Sequence, residues 1–193
     1  MDIITEQLLE TVVNAAYSNK LIVTSSDPVP QQAFLGVQSS RADMITTHEE
    51  ADMIIPQQVA TAVRDGRESI KVICDDVDVF VLLVYFYNQE ECKTEIYLAP
   101  TSSSSSLICI KSFVAKHSEI IPSLPAAHGM SGCDSVPMVY GIGKTKVCSV
   151  LRDVSLLQLG DVTADETIMI EEAKTFVARC YGIKNKTSMA DVR

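Results

Sequence analysis

Residues 70–78, with the sequence IKVICDDVD, decide the fold of this chain, because an apolar run ends there in a cluster of carboxylates. A run that is interrupted only by Lys71 is typical of a parallel strand covered on both faces. The apolar character continues from Val79 to Tyr87, where periodicity does not distinguish a buried helix from a strand. The segment therefore predicts a central parallel strand whose carboxyl end carries Asp75, Asp76 and Asp78.

Upstream of this strand, the sequence predicts two helices, a strand and a long connection. Apolar side chains recur at helical spacing over residues 3–17, and residues 21–24 form a short strand-like run. We expect residues 25–42, with two prolines and scattered polar side chains, to be irregular. A capping box begins at Thr47 and predicts a helix to Gly66 that Pro56 should kink.

Downstream, strand-like and helix-like patterns continue to alternate. A strand is expected over residues 94–99, a serine connector over 102–106, helical segments over 107–117 and 120–129, and a closing helix over 164–181. Pro122 and Pro125 should interrupt the second helical segment. Strands that alternate with helices predict a three-layer α/β/α domain with a mainly parallel sheet. We expect one domain, 1–193, with an N-terminal helix, strand and irregular loop over 1–45, an acidic core and glycine hairpin over 46–150, and C-terminal helices over 151–193.

Composition restricts the function classes. The net charge of −9 opposes unaided binding to nucleic-acid phosphates, so DNA or RNA partners would be held weakly. We find no apolar run of about 18 residues and no signal-peptide pattern, and therefore expect an intracellular protein without a membrane partner. The six cysteines are widely spaced, which favours reduced and mostly buried thiols. Oligomeric state is not indicated.

Three acidic clusters lie at predicted element ends: residues 49–52 (EEAD), residues 75–78 (DDVD) and residues 132–134 (GCD). Carboxyl ends of parallel strands and their adjoining loops form the ligand crevice of such sheets, so these carboxylates can converge. Converging carboxylates repel unless a hard cation neutralises them, and Mg²⁺ or Mn²⁺ matches oxygen ligands. Two such ions are the arrangement that nucleases use on phosphodiesters. Each cluster alone also has a structural explanation, at a helix N-terminus or in a turn.

After six intervening residues, Asp134 is followed by a glycine turn, residues 141–146 (GIGKTK). Its amides and lysines could cradle a phosphate. The succession EAD, DVDVF and GCD-x6-GIGK over residues 46–150 resembles the internal signature of the flap endonuclease/XPG group of PIN-like nucleases. The segments THEEAD and AAHGMSGCD are similar to those of a largely uncharacterised group of animal proteins. These proteins are often associated with mobile elements and carry the same PIN-like core.

This resemblance implies a PIN-like (Rossmann-like) fold, a nuclease activity on DNA or RNA, and a nuclear rather than cytoplasmic location. It implies two Mg²⁺ or Mn²⁺ ions and a K⁺ ion at the glycine hairpin. The implied metal ligands are Glu50, Asp52, Asp76, Asp78 and Asp134. The catalytic carboxylates among them are Asp76, Asp78 and Asp134. The implied nucleic-acid contacts are Gly141, Ile142, Gly143, Lys144 and Lys146.

The chain departs from the family pattern at its beginning. The family's first strand, which ends in a metal-binding Asp, has no convincing counterpart, so an N-terminally truncated member is expected, with Asp27 or Asp43 as substitutes. His48 and His128 are interpreted as structural and receive no catalytic role. Two alternatives to the enzyme stay open: a catalytically degenerate PIN-like module that binds protein or nucleic acid, and an unrelated α/β protein whose acids are structural.

Overall fold

A computed structural model describes residues 7, 9–11, 13, 21–23, 29–45, 51–102 and 106–183. Backbone contacts divide the chain into two compact units, Met1–Arg64 and Asp65–Arg193. Each unit is described by itself. The prediction of a single domain stays a prediction, because a compact unit need not fold alone.

The first unit contains an antiparallel sheet that the sequence did not predict. Strands β1 (Leu21–Val23), β2 (Gln31–Phe34) and β3 (Val37–Ser40) pair in that order. The turn from β2 to β3 is made by Leu35 and Gly36, with φ of 48° and 78°. The prediction of an irregular connection was therefore wrong for residues 31–40, while residues 25–28 lie outside the described part.

One described helix follows in this unit. Helix α1 (Ala51–Arg64) contains Pro56 in its first half and is not broken there. Pro56 is the sixth residue of this helix, where an N–H would donate to the Asp52 carbonyl, so the proline removes one helical hydrogen bond while the helix continues through it. The expected start at Thr47 lies outside the described residues. All five described positions between residues 7 and 13 are helical, as the periodicity predicted.

The second unit is built on a small mixed sheet. Strand β4 (Ser69–Ile73) pairs in parallel with β5 (Glu95–Ala99), and β5 pairs antiparallel with β6 (Ile108–Cys109). Both long strands confirm the sequence prediction. Among the described strands, however, β4 lies at the edge and β5 at the centre, which corrects the central position expected for residues 70–74.

Helix α2 (Val77–Gln89) connects the two parallel strands and resolves the ambiguity over residues 79–87 in favour of a helix. The helix expected over residues 107–117 is β6 followed by α3 (Ile110–His117). A 3-10 turn at Ile121–Ser123 leads into α4 (Leu124–Ser131), and Pro125 begins this helix instead of interrupting it. Helices α5 (Lys144–Val150) and α6 (Glu166–Cys180) follow, α6 being the predicted closing helix.

The core of the second unit lies between α2, the sheet and the later helices. Its large, fully buried side chains come from the sheet, from the helices and from the turns and loops between them: Phe176, Leu83, Ile96, Ile110, Ile121 and Leu156. Burial of each such side chain contributes about 1.5–3 kcal/mol relative to exposure. This packing fixes the N-terminus of α2 and the C-terminus of α4, the two helix ends that border the candidate site.

The architecture is mixed α/β, with two small sheets of which one is partly parallel. Across the described residues, no helix is both long and apolar enough to span a bilayer. All six cysteines are free thiols, and Cys180 is buried while the other five are half-buried, less buried than expected.

Candidate functional site

The DDVD cluster occupies the loop that joins β4 to α2. Asp76 is the N-cap of α2: its Oδ1 accepts a hydrogen bond from the Asp78 backbone N–H at 2.8 Å. The Asp76 backbone N–H in turn donates to Cys74 Sγ at 3.3 Å. Carboxylates are favoured here because the first turn of a helix presents unpaired N–H groups and the positive end of the helix dipole. The strand end and the helix start therefore fix both acids at one edge of the sheet.

Asp75 links the ends of the two parallel strands. Its carboxylate accepts hydrogen bonds from the backbone N–H of Thr101 at 3.1 Å and from the Thr101 hydroxyl. Thr101 follows β5 by two residues, so this contact ties the loop after β5 to the loop after β4. Asp75 is consequently engaged in structure, in keeping with its place outside the implied ligand set.

Asp134 is presented by a tight turn after α4. Cys133 and Val136 exchange two backbone hydrogen bonds of 3.0 and 3.1 Å, which leaves Asp134 exposed at the tip. Gly132 makes the turn possible, since its φ is 108° and a Cβ there would stand 2.5 Å from Met138 Cα. The hydrogen bond from Ser135 lowers the pKa of the Cys133 thiol. The GCD sequence is thus a turn that only glycine can begin.

Lys144 is exposed as a residue, but its ammonium folds back onto the end of α4. Its ammonium lies 3.0 Å from His128 Nδ1 and donates to Ser131 Oγ at 3.0 Å and to the Gly132 carbonyl at 2.5 Å. A cation at the C-terminus of α4 satisfies carbonyls that have no helical partner and complements the helix dipole. Burial lowers the pKa of this ammonium, while nearby Cys133 and Asp78 raise it. Lys144 therefore clamps the glycine turn to α4, a role that its assignment as a nucleic-acid contact did not anticipate.

The rest of the glycine turn is built for packing. Ile142 is buried, and its N–H donates to the Val139 carbonyl at 3.1 Å. Gly141 has a φ of 74°, and Gly143 is the N-cap of α5. Lys146 is exposed on α5. Ile142 is therefore the one buried residue of residues 141–146, and the other five residues are exposed.

His128 joins the two sides of the site. Its Nε2 lies 2.5 Å from Asp78 Oδ1, and its side chain is only 10% exposed. The same ring contacts Lys144 through Nδ1 at 3.0 Å. The sequence interpretation of His128 as a structural histidine missed this contact with an implied metal ligand. The signal that could have found it is its position six residues before Asp134 in the same motif.

These side chains border one open pocket of about 440 Å³ in the second unit. It is lined by Asp75, Asp76, Val77, Asp78, His128, Gly132, Cys133, Asp134, Val136, Met138 and Lys144. Four carboxylates in this lining face one ammonium, so the pocket is strongly negative. Such a field concentrates cations, and a low-dielectric wall strengthens it.

Three of the five implied metal ligands thus border a common pocket, and two do not belong to its described lining. Glu50 lies outside the described residues. Asp52 is the second residue of α1 in the first unit, where its Oδ1 is shielded from solvent and has no hydrogen-bond partner among the residues that the structure describes. Within the described part of the chain, no three His, Cys, Asp or Glu side chains are grouped to hold a metal ion.

Of the two acids considered as substitutes for the family's first-strand acid, only Asp43 lies in the described part of the chain. Asp27 lies outside the described residues, as does His48. Asp43 sits in a 3-10 turn and forms a two-pronged pair with Arg41 at 2.7 and 2.6 Å. A carboxylate held in this way by a guanidinium already has its charge balanced.

Comparison of the chain with protein-family models, with curated proteins and with solved structures finds no match.

Proposed function

We propose that this chain is a PIN-like, Mg²⁺- or Mn²⁺-dependent phosphodiesterase acting on DNA or RNA, with Asp76, Asp78 and Asp134 around the cation. The observation that carries the proposal is their shared pocket, reached from the end of a parallel strand on one side and from the GCD turn on the other. Ligand sites in parallel sheets lie at such strand ends. The proposal includes a three-layer α/β/α arrangement, and a nucleic-acid substrate suits a nuclear location.

The residues present fit a largely hydrated divalent ion. Mg²⁺ is usually held by one or two carboxylates, with waters and substrate phosphates in its other positions, so a closed protein cage is not required. Asp76 and Asp78 each commit only Oδ1 to a protein hydrogen bond, and within the described part of the chain their Oδ2 atoms have no such partner. When bound, the ion would supply charge neutralisation and a more acidic water.

The four carboxylates of the pocket oppose the binding of a nucleic-acid substrate. A phosphodiester approaching four carboxylates is repelled, which the cation must offset. The Lys144 ammonium already donates to Ser131 Oγ and to the Gly132 carbonyl, and these hydrogen bonds would compete with its binding a phosphate. Affinity for the polyanion would therefore be weak and steeply dependent on salt.

A degenerate PIN-like module is the second candidate, and one observation favours it. Asp78 Oδ1 and the Lys144 ammonium are both in contact with His128, so these two pocket groups have protein partners without an added ion. Such a module would keep the fold and the pocket while binding protein or nucleic acid without hydrolysis.

Cleavage assays separate the two candidates. Wild type, Asp78→Asn, Asp134→Asn and the control Asp153→Asn would be incubated with labelled flap, hairpin and single-stranded substrates, with Mn²⁺ or with a chelator. Asparagine at 78 can still accept the hydrogen bond from His128, so this variant removes charge and preserves the contact. Asp153 is an exposed acid outside the pocket lining. The enzyme predicts Mn²⁺-dependent cleavage lost in the two pocket variants alone. Absence of cleavage by wild type on every substrate, with metal binding retained, would favour the degenerate module.

A further inference from the structure

Two hydrogen bonds connect Lys144, His128 and Asp78 in a line. Lys144 Nζ lies 3.0 Å from His128 Nδ1, and His128 Nε2 lies 2.5 Å from Asp78 Oδ1. The imidazole belongs to α4, Asp78 to the first turn of α2, and Lys144 to the first turn of α5. Three helix ends therefore meet through one ring.

The donors and acceptors of Lys144, His128 and Asp78 determine which atom carries the hydrogen in each of the two contacts. An ammonium has three donors and no acceptor, and Lys144 Nζ also lies near Ser131 Oγ, the Gly132 carbonyl and, at 3.3 Å, the His128 carbonyl. Because the ammonium cannot accept, a hydrogen bond across its 3.0 Å contact with His128 Nδ1 requires Nδ1 to be the acceptor. A neutral imidazole that accepts at Nδ1 carries its hydrogen on Nε2, where it can donate to the Asp78 carboxylate. Lys144 thereby fixes the tautomer that Asp78 needs.

We propose that His128 is a positioning residue for Asp78. By holding Oδ1, the imidazole restricts rotation of the carboxylate about its side-chain bonds and leaves Oδ2 directed to the pocket. The part of this inference that concerns a metal ion rests on the proposed function; the part that concerns the hydrogen-bonded line does not. Hydrogen bonds of this kind behind a metal-binding group typically change metal affinity by about 10- to 100-fold.

Two substitutions of His128 each keep one of the two ring contacts and remove the other. His128→Gln places an amide nitrogen near the position of Nε2 and keeps a donor for Asp78, whereas His128→Asn places its amide near Nδ1 and keeps an acceptor for Lys144. Both side chains are polar and smaller than or similar to imidazole. His117→Gln is the matched control, because His117 lies on α3 against Phe113 and outside the pocket lining.

Mn²⁺ binding by calorimetry is the first readout. We expect the Mn²⁺ affinity to fall by about 10-fold or more in His128→Asn and by less than about 3-fold in His128→Gln. The Mn²⁺ affinity of His117→Gln should equal that of wild type. If the enzyme cleaves, the loss in His128→Asn should diminish as Mn²⁺ is raised, which a general folding defect would not show. Wild-type affinity in His128→Asn, together with lost binding in Asp78→Asn, would overturn the inference and leave the proposed function standing.

A second readout needs no metal. In the nitrogen-resolved NMR spectrum of the metal-free protein, His128 should carry its hydrogen on Nε2, slowly exchanging with water, and Asp78→Ala should abolish that slow exchange. A hydrogen on Nδ1, or slow exchange that survives Asp78→Ala, would overturn the inference. If wild type binds no Mn²⁺, the proposed function fails, and this spectrum alone decides whether His128 holds Asp78.

Discussion

Replacement of Gly132 by alanine should distort the turn that presents Asp134. The glycine has a φ of 108°, and an added Cβ would stand 2.5 Å from Met138 Cα and 2.9 Å from Met138 N. With ψ of 129°, Gly132 also lies outside the left-handed helical region, and a side chain in so sparsely populated a conformation costs about 1–3 kcal/mol. Forcing backbone atoms apart costs about 1–3 kcal/mol more, because the neighbour is main chain and cannot rotate away. Gly132→Ala should therefore lower the free energy of unfolding by about 2–6 kcal/mol in total.

Gly141→Ala provides the matched control. Its φ of 74° is also positive, but a Cβ there meets no atom within 4 Å. Only the conformational cost of about 1–2 kcal/mol applies. Urea unfolding followed by far-ultraviolet circular dichroism would give both values from midpoints at a common slope. A Gly132→Ala variant no less stable than Gly141→Ala would refute the close approach of the turn to Met138.

Three further substitutions test the fold. Gly129→Ala, inside α4 and with open space around the new Cβ, should stabilise the protein by about 0.5–1 kcal/mol, and a loss of stability would show that this position is not helical. Phe176→Ala should cost about 3–5 kcal/mol because the ring is only 1% exposed, and a cost below about 1 kcal/mol would contradict its place in the core. Asp165 is the N-cap of α6, and its hydrogen bond from Thr167 lowers its pKa below the ordinary value of 3.8. The ionised cap therefore stabilises the fold fully above pH 3.8, and this stabilisation is lost as the pH falls through the lowered pKa. Thermal melts should show a lower Tm for Asp165→Ala than for wild type at neutral pH, and this difference in Tm should shrink in acid. Asp165→Asn should differ little from wild type. A difference in Tm that does not change with pH would contradict the role of Asp165 as a cap.

Strong local patterns made part of the fold predictable. The apolar runs of β4 and β5 and the capped periodicity of α6 each specify an element without help from distant residues. The β2–β3 hairpin was missed because QQAF and VQSS lack the apolar alternation of a half-buried strand, leaving the Leu35-Gly36 turn as the only signal. Strand β6 was missed because two residues are too few to show a period.

The site could be predicted only in part, because the sequence does not show in which direction each side chain points. Carboxylates at the end of an apolar strand could be expected near a sheet edge, and Asp76 and Asp78 are found there. Nothing in the local sequence states that Lys144 would fold back onto α4, since a residue at a turn can point either way. The partnership of His128 with Asp78 spans fifty positions and depends on how α2 and α4 pack.

The central claim is that Asp76, Asp78 and Asp134 together hold a divalent cation, and Mn²⁺ titration by calorimetry tests it most directly. Wild type, Asp78→Asn/Asp134→Asn and the control Asp153→Asn would be titrated at one pH and one salt concentration. We expect wild type and Asp153→Asn to bind equally and the double variant to bind at least about 100-fold more weakly, because loss of even one outer hydrogen-bond partner of a ligand typically costs about 10- to 100-fold and this variant loses two proposed ligands. Equal binding in all three proteins, or none in wild type, would contradict the claim that this pocket is a metal site.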